Sequence, residues 1–331
     1  MKKRNIIILV VIGTLLLLGT VAGISVINSR TANSEPVRID IPTDDFSMLC
    51  NLLDQKDVKA NTAFHLFARL LKLDRQLRPG SYIVQPHMQQ LELVRKLRNG
   101  QQDPIRLTIG KFRLPQQLNE YLNQKLMRND FNITLDSFYL IRPNTYEFYW
   151  TVTPEQFMRR MEKEFVKFWN SAVAPGGEKR VDLIELYDNY DYSLENIIIL
   201  ASIVEEETNN NKEKPLIASV YLNRLERGMP LQADPTVKYA VGDFTLRRIL
   251  NKHLAAESPF NTYLHTGLPP APICLPSAAS VDAVINAKET DYLYFCASDR
   301  MDGTHRFAAT LAEHNRNAAA FHRALSAKGI H

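Results

Sequence analysis

A chain of 331 residues, 45% hydrophobic and 23% charged, has the make-up of a folded protein of two or three modules and excludes a largely disordered one. Its net charge of +4 suits an anionic wall or membrane surface, but no Lys/Arg block is interleaved with aromatics, which argues against a nucleic-acid groove. The three cysteines form no Cys-x-x-Cys pair and exclude a disulfide framework, leaving buried thiols or one Cys274–Cys296 bridge; the histidines lack metal-ligand spacing, so neither metal nor cofactor is expected.

In chain order, Met1 to Asn5 carries Lys2, Lys3 and Arg4 and precedes an uncharged apolar run from Ile6 to Ile27. A helix of about 20 such residues crosses a bilayer, and the positive flank predicts residues 1–5 as a cytoplasmic tail, 6–27 as a single transmembrane helix and the rest as periplasmic or extracytoplasmic. A cleaved signal peptide ending near Val21-Ala22-Gly23 is the alternative. After a polar linker, 28–36, the pattern predicts a strand over Val37–Ile41, a helix from Asp44 or Asp45, and a second helix over about Ala63 to Leu73. A strand at Ser81–Val84 follows, then a helix through Leu91, Val94 and Leu97 that stops at Gly100. Strand, two helices and Arg78-Pro79-Gly80-Ser81-Tyr82 into a strand resembles the plan of LysM-type glycan-binding modules, and a LysM-like α+β module is expected over 37–110. A strand at Ile105–Ile109 and a helix near Gln116 to Lys125 come next.

Residues 111–190 read as a connecting α+β region. Within it Thr153-Pro154-Glu155-Gln156 marks a helix start, with an apolar face through Phe157, Met161, Phe165 and Phe168. The final module, 191–331, opens with Ser193 as a helix cap and apolar positions at Leu194, Ile197, Ile198, Ala201 and Val204. Three glutamates follow. At about 100° per residue Glu205 falls on the stripe of Leu194, Ile198 and Ala201, with Glu206 and Glu207 to either side. A carboxyl group held against apolar neighbours is expected to have a raised pKa, as a proton donor needs. A polar helix end with three solvated carboxylates is the plain alternative.

A second helix enters at Pro215, passes Ile217, Val220, Tyr221 and Leu225, and ends at Gly228. Beyond it, Leu231 to Val237, Pro259 to Tyr263, Gly267 to Ile273 and Glu313 to Asn315 read as loops whose amide, hydroxyl and aromatic groups suit a saccharide groove.

The ordered stretches Ile203-Val204-Glu205-Glu206-Glu207-Thr208, Ser219 to Leu225, Leu231 to Val237, Asn261-Thr262-Tyr263 and Gly267-Leu268-Pro269-Pro270 resemble the MltG (YceG-like) family of endolytic murein transglycosylases. The sequence departs from the family pattern at Ala271, at Leu275-Pro276-Ser277 and at Arg142 to Tyr146. The resemblance implies cutting of the MurNAc–GlcNAc β-1,4 bond to leave 1,6-anhydro ends, with Glu205 catalytic and Glu207, Gln232, Asp234, Asn261, Thr262, Tyr263 and Asn315 binding substrate. It also implies peptidoglycan strands and penicillin-binding proteins as partners. A hydrolase using Glu207 or Asp234 as second carboxylate, and a non-catalytic tethered scaffold, are the rival readings.

Overall fold

A computed structural model describes residues 2–171, 194–246 and 248–328, with backbone alone for 2–10 and 170–171. The expected Ser193 cap lies outside the described residues. The chain forms two units, one of residues 1–107 and 146–153 and one of 108–145 and 154–331.

The first unit opens with α1 (Lys2–Ile27). From Val11 to Ile27 its large apolar side chains, Leu15 to Leu18 among them, are mostly exposed. The expected span over 6–27 begins before the described side chains do, and among the described residues no helix is long and apolar enough to cross a membrane. Strand β1 (Val37–Ile41) pairs antiparallel with β2 (Gly80–Val84), from Val37 opposite Val84 to Ile41 opposite Gly80. Between them come α2 (Phe46–Gln55), α3 (Thr62–Leu70) and the short α4 (Leu73–Gln76). Asp45 caps α2 by accepting from the amides of Ser47 and Met48, and Asn61 caps α3 by accepting from Phe64, so side-chain oxygens satisfy donors that each helix start leaves open. α5 (Gln90–Arg98) follows and closes at Gly100, whose φ of +64° suits glycine. Ile39, Ile41, Leu49, Leu53, Phe64, Tyr82, Leu93 and Leu97 form one core, which explains the period-two strands and the three-and-four spacing of the helices. β3 (Ile105–Ile109) pairs with β4 (Asn144–Phe148), a strand not foreseen from the sequence.

The second unit contains α6 (Pro115–Leu126), α7 (Leu135–Phe138) and α8 (Pro154–Ser171), then α9 (Leu194–Glu207) and α10 (Lys214–Glu226). α9 is not amphipathic. Every residue from Ile197 to Val204 is buried, as befits a helix at the centre of a unit with neighbours on all sides. α10 ends where Gly228 takes φ +63°. The stretch expected as a loop after it instead forms α11 (Asp234–Val241), because Ala233 supplies the turn and Pro235 is tolerated in the first turn, where its missing N–H has no role. α12 (Asn251–Leu254), α13 (Ala278–Ile285), the antiparallel pair β5 (Tyr294–Ala297) and β6 (His305–Ala308), and α14 (Leu311–Ala327) complete the unit. Ile198, Ala201, Val204, Ile217, Tyr221, Leu231 and Val281 belong to its core.

Candidate active site

The last turn of α9 carries Glu205, Glu206 and Glu207, and burial around the helix turns each carboxyl toward a different set of partners. Glu205 Oε2 accepts from Lys214 Nζ at 2.9 Å, Ser277 Oγ at 2.6 Å and Ser280 Oγ at 2.5 Å. Lys214 opens α10, Ser277 caps α13 and Ser280 lies in its first turn, so one carboxylate joins three helices. Burial pushes the Glu205 pKa up, but the three hydrogen bonds and the Lys214 charge outweigh it and hold the group below its usual 4.5. The expectation of a raised pKa at Glu205 is thereby corrected. A one-stripe reading of α9 missed the polar partners brought by neighbouring helices. Glu206 pairs with Arg113 at 2.8 Å and Lys111 at 3.2 Å.

Glu207 has the environment that the helical periodicity predicts for Glu205. Its Oε1 accepts the phenolic hydrogen of Tyr221 at 2.5 Å. Burial, with Asp234 and Glu206 adding like charge, pushes its pKa up to about 7, against smaller opposing effects from Tyr221 and Lys238. Glu207 lines a cavity of about 210 Å³ together with Tyr221, Arg224, Leu231, Gln232, Asp234, Tyr263 and Phe295.

Of the residues expected to bind substrate, Glu207, Gln232, Asp234 and Tyr263 meet in this cavity, where the Tyr263 hydroxyl donates to Asp234 Oδ1 at 2.7 Å. Asn261 and Thr262 do not line it. Asn261 is fully buried and donates its amide to the carbonyls of Leu254 and Ala256, each at 2.9 Å. The Thr262 Oγ1 accepts from the Ala233 amide at 3.1 Å and lies 2.8 Å from the Thr236 hydroxyl, fixing the turn that presents Gln232 and Asp234. Asn315 is exposed on α14 and is absent from the cavity wall.

Two wall residues, Tyr221 and Arg224, lie on a helix whose sequence pattern predicts packing alone. Their spacing of three places both on one helix face, and an arginine among apolar neighbours was the available signal. Arg224 Nε donates to the Leu293 carbonyl at 2.7 Å, while Nη1 reaches the carbonyls of Pro230 at 3.2 Å and Leu231 at 3.0 Å. Its guanidinium lies over the Tyr294 ring, 5.2 Å from the centroid. The cysteines are free and no Cys274–Cys296 bridge forms. Among the described residues no group of three or more His, Cys, Asp or Glu could hold a metal ion.

An α+β unit with a half-buried carboxyl, hydrogen-bonded to a tyrosine in a cavity at the end of a central helix, defines a class of candidate acid/base site. The chain belongs to the YceG-like family, whose sequence profile matches residues 39–320. It is 44% identical over 124 residues to an endolytic murein transglycosylase of Bacillus subtilis, covering 38% of this chain and 34% of that protein. A protein of the same name from Streptococcus pneumoniae is 35% identical over 131 residues, covering 38% of this chain and 24% of that one. The alignments thus span about a third or less of those relatives' length. The crystal structure of a yceG-like protein from Listeria monocytogenes shares 28% identity and superposes with a TM-score of 0.52, covering 86% of this chain and 99% of that one.

Proposed function

We propose that the chain is a lytic transglycosylase that cuts peptidoglycan glycan strands internally, with Glu207 as its acid/base. The observation that carries this is the Glu207 carboxyl: it sits in the cavity, hydrogen-bonded to Tyr221, with a pKa of about 7, so it holds a proton near neutral pH and releases it readily. The names of the relatives supply the substrate class. In the reaction Glu207 gives its proton to the glycosidic oxygen between N-acetylmuramic acid and N-acetylglucosamine as the bond to C1 breaks. The resulting carboxylate then takes the proton of the sugar's own C6 hydroxyl, whose oxygen closes on C1 to leave a 1,6-anhydro end. No water is consumed, and the intramolecular attack gains from proximity.

Asp234 favours a second reading. It lines the same cavity and raises the Glu207 pKa, so it stands where a hydrolase would keep its second carboxylate. Mass spectrometry of glycan strands digested by the full chain in detergent separates the two, since a hydrolase leaves ordinary reducing ends. Glu207→Gln is expected to abolish product, and full activity in that variant would remove Glu207 from the mechanism.

The apolar run over 6–27, with its exposed side chains from Val11 onward, supports a single-pass anchor in the cytoplasmic membrane, N-terminus inside, with the active unit outside. The two-stranded, helix-bridged arrangement of the first unit supports a LysM-like role in holding glycan. Such placement suits termination of nascent strands beside the penicillin-binding proteins that make them.

A further inference from the structure

Gln232 is exposed, yet its backbone has φ +51°, a left-handed conformation that a residue with a side chain seldom adopts. No packing of its own side chain accounts for this. The conformation is fixed from behind: the Gln232 amide donates to the Thr262 carbonyl at 3.0 Å and the next amide, Ala233, to the Thr262 hydroxyl at 3.1 Å. What the strain achieves is to put the Gln232 side chain on the cavity wall beside Arg224, whose Nη1 donates to Gln232 Oε1 at 3.4 Å. Arg224 itself is held by three backbone carbonyls through Nε and Nη1, while its Nη2 makes no hydrogen bond among the described residues. The Gln232 oxygen faces a donor, so its Nε2 hydrogens are left for another acceptor. Asn261, the other amide of this region, spends its donors on the carbonyls of Leu254 and Ala256.

We propose that Arg224 and Gln232 form a subsite for a carbonyl oxygen of the bound ligand, the acetamido oxygen of an N-acetylated sugar. The inference rests on the glycan-cleaving reading and adds to it the group that selects the substrate. An acetamido oxygen accepts two hydrogen bonds without bringing charge, and it meets one amide donor and one guanidinium donor fixed before it arrives, so little ordering is left to the moment of binding. A de-N-acetylated sugar presents an ammonium group instead, which offers no acceptor and is repelled by the guanidinium.

The test measures binding of peptide-free glycan strands, N-acetylated or de-N-acetylated, to the full chain in detergent carrying Glu207→Gln to prevent turnover. Glycine accepts φ +51° without strain, so Gln232→Gly removes the side chain and is expected to melt no lower than its parent. It is expected to bind the N-acetylated strand up to about ten-fold more weakly, the effect of losing one neutral hydrogen bond, while leaving the weak binding of the de-N-acetylated strand unchanged. Gln232→Glu, whose carboxylate would draw in Arg224 and offer no donor, is expected to lose the same preference. An intact preference in both variants, or an equal loss for both strands, overturns the subsite. If neither strand binds the Glu207→Gln parent, the glycan reading itself fails and the subsite falls with it.

Discussion

Glu205 and Glu207 stand two positions apart on α9 and their pKa values are driven in opposite directions, Glu205 below 4.5 and Glu207 up to about 7. Burial disfavours the charge on both. The difference lies in what each carboxylate meets: Glu205 faces an ammonium and two hydroxyls, while Glu207 faces one phenol and the negative field of Asp234 and Glu206. One helical turn therefore keeps a charged tie and an ionisable acid side by side.

The raised pKa of Glu207 should be visible in stability. Its folded value lies above the unfolded 4.5, so its contribution is fully present below about pH 4.5 and is lost as pH rises through about 7. Glu207→Gln cannot ionise and escapes that loss. Its melting temperature relative to wild type should climb between these pH values and level off above them, corresponding to roughly 3 kcal/mol. A difference independent of pH would show that Glu207 titrates normally.

Lys214 and Glu205 have side chains only 4% and 13% exposed, so removing one partner strands a buried charge. Lys214→Met is expected to destabilise the protein by about 3 to 5 kcal/mol near neutral pH, measured by denaturant unfolding. Because the Glu205 pKa is depressed, the tie is present above pH 4.5 and lost as pH falls through the folded value. The gap between variant and wild type should narrow in acid, and a gap that widened there would contradict the assignment.

Tyr221 lowers the Glu207 pKa through its hydrogen bond. Tyr221→Phe should raise that pKa further and move the alkaline limb of kcat/KM to higher pH, since a general acid must keep its proton. A limb moving to lower pH would mean that the phenol, not the carboxyl, sets the profile.

Cys274 is buried and its thiol pKa is pushed well up by burial, with nearby Glu206 adding to it, whereas Cys50 and Cys296 are only partly covered. Alkylation of the native chain followed by peptide mass spectrometry should label Cys50 and Cys296 first and leave Cys274 unmodified until unfolding. Early labelling at Cys274 would count against the packing drawn around Ser202, whose carbonyl accepts from its Sγ at 3.5 Å.

Local patterns made much of the first unit legible. β1 and β3 fall where alternation placed them, α2 starts at its aspartate cap, and α5 and α10 stop at Gly100 and Gly228. The site was legible in part: the three-glutamate turn, Gln232, Asp234 and Tyr263 were singled out. The pKa order among the glutamates was not, because periodicity assumes one wet face and α9 has none from Ile197 to Val204. The hydroxyls of Ser277 and Ser280 lie more than seventy residues beyond Glu205 in sequence, and only tertiary packing brings them to it. Asn261 and Thr262 illustrate the converse, polar residues of a saccharide-like loop that serve the backbone instead.

The strand pair of β3 and β4 bears on how this protein can be divided. The first unit draws on two stretches of chain, 1–107 and 146–153, with residues of the second unit lying between them in sequence. A fragment ended at 107 would cut β3 after its third residue and leave the remaining Ile105 to Leu107 without the β4 partner, their amides and carbonyls unpaired. It would also lack Trp150 and Val152, both buried in the whole chain. Cutting before 154 retains that strand but carries along 108–145 without the rest of the second unit. No single cut releases either unit complete, so a protease nick near 107 or 153 would leave fragments that still need each other.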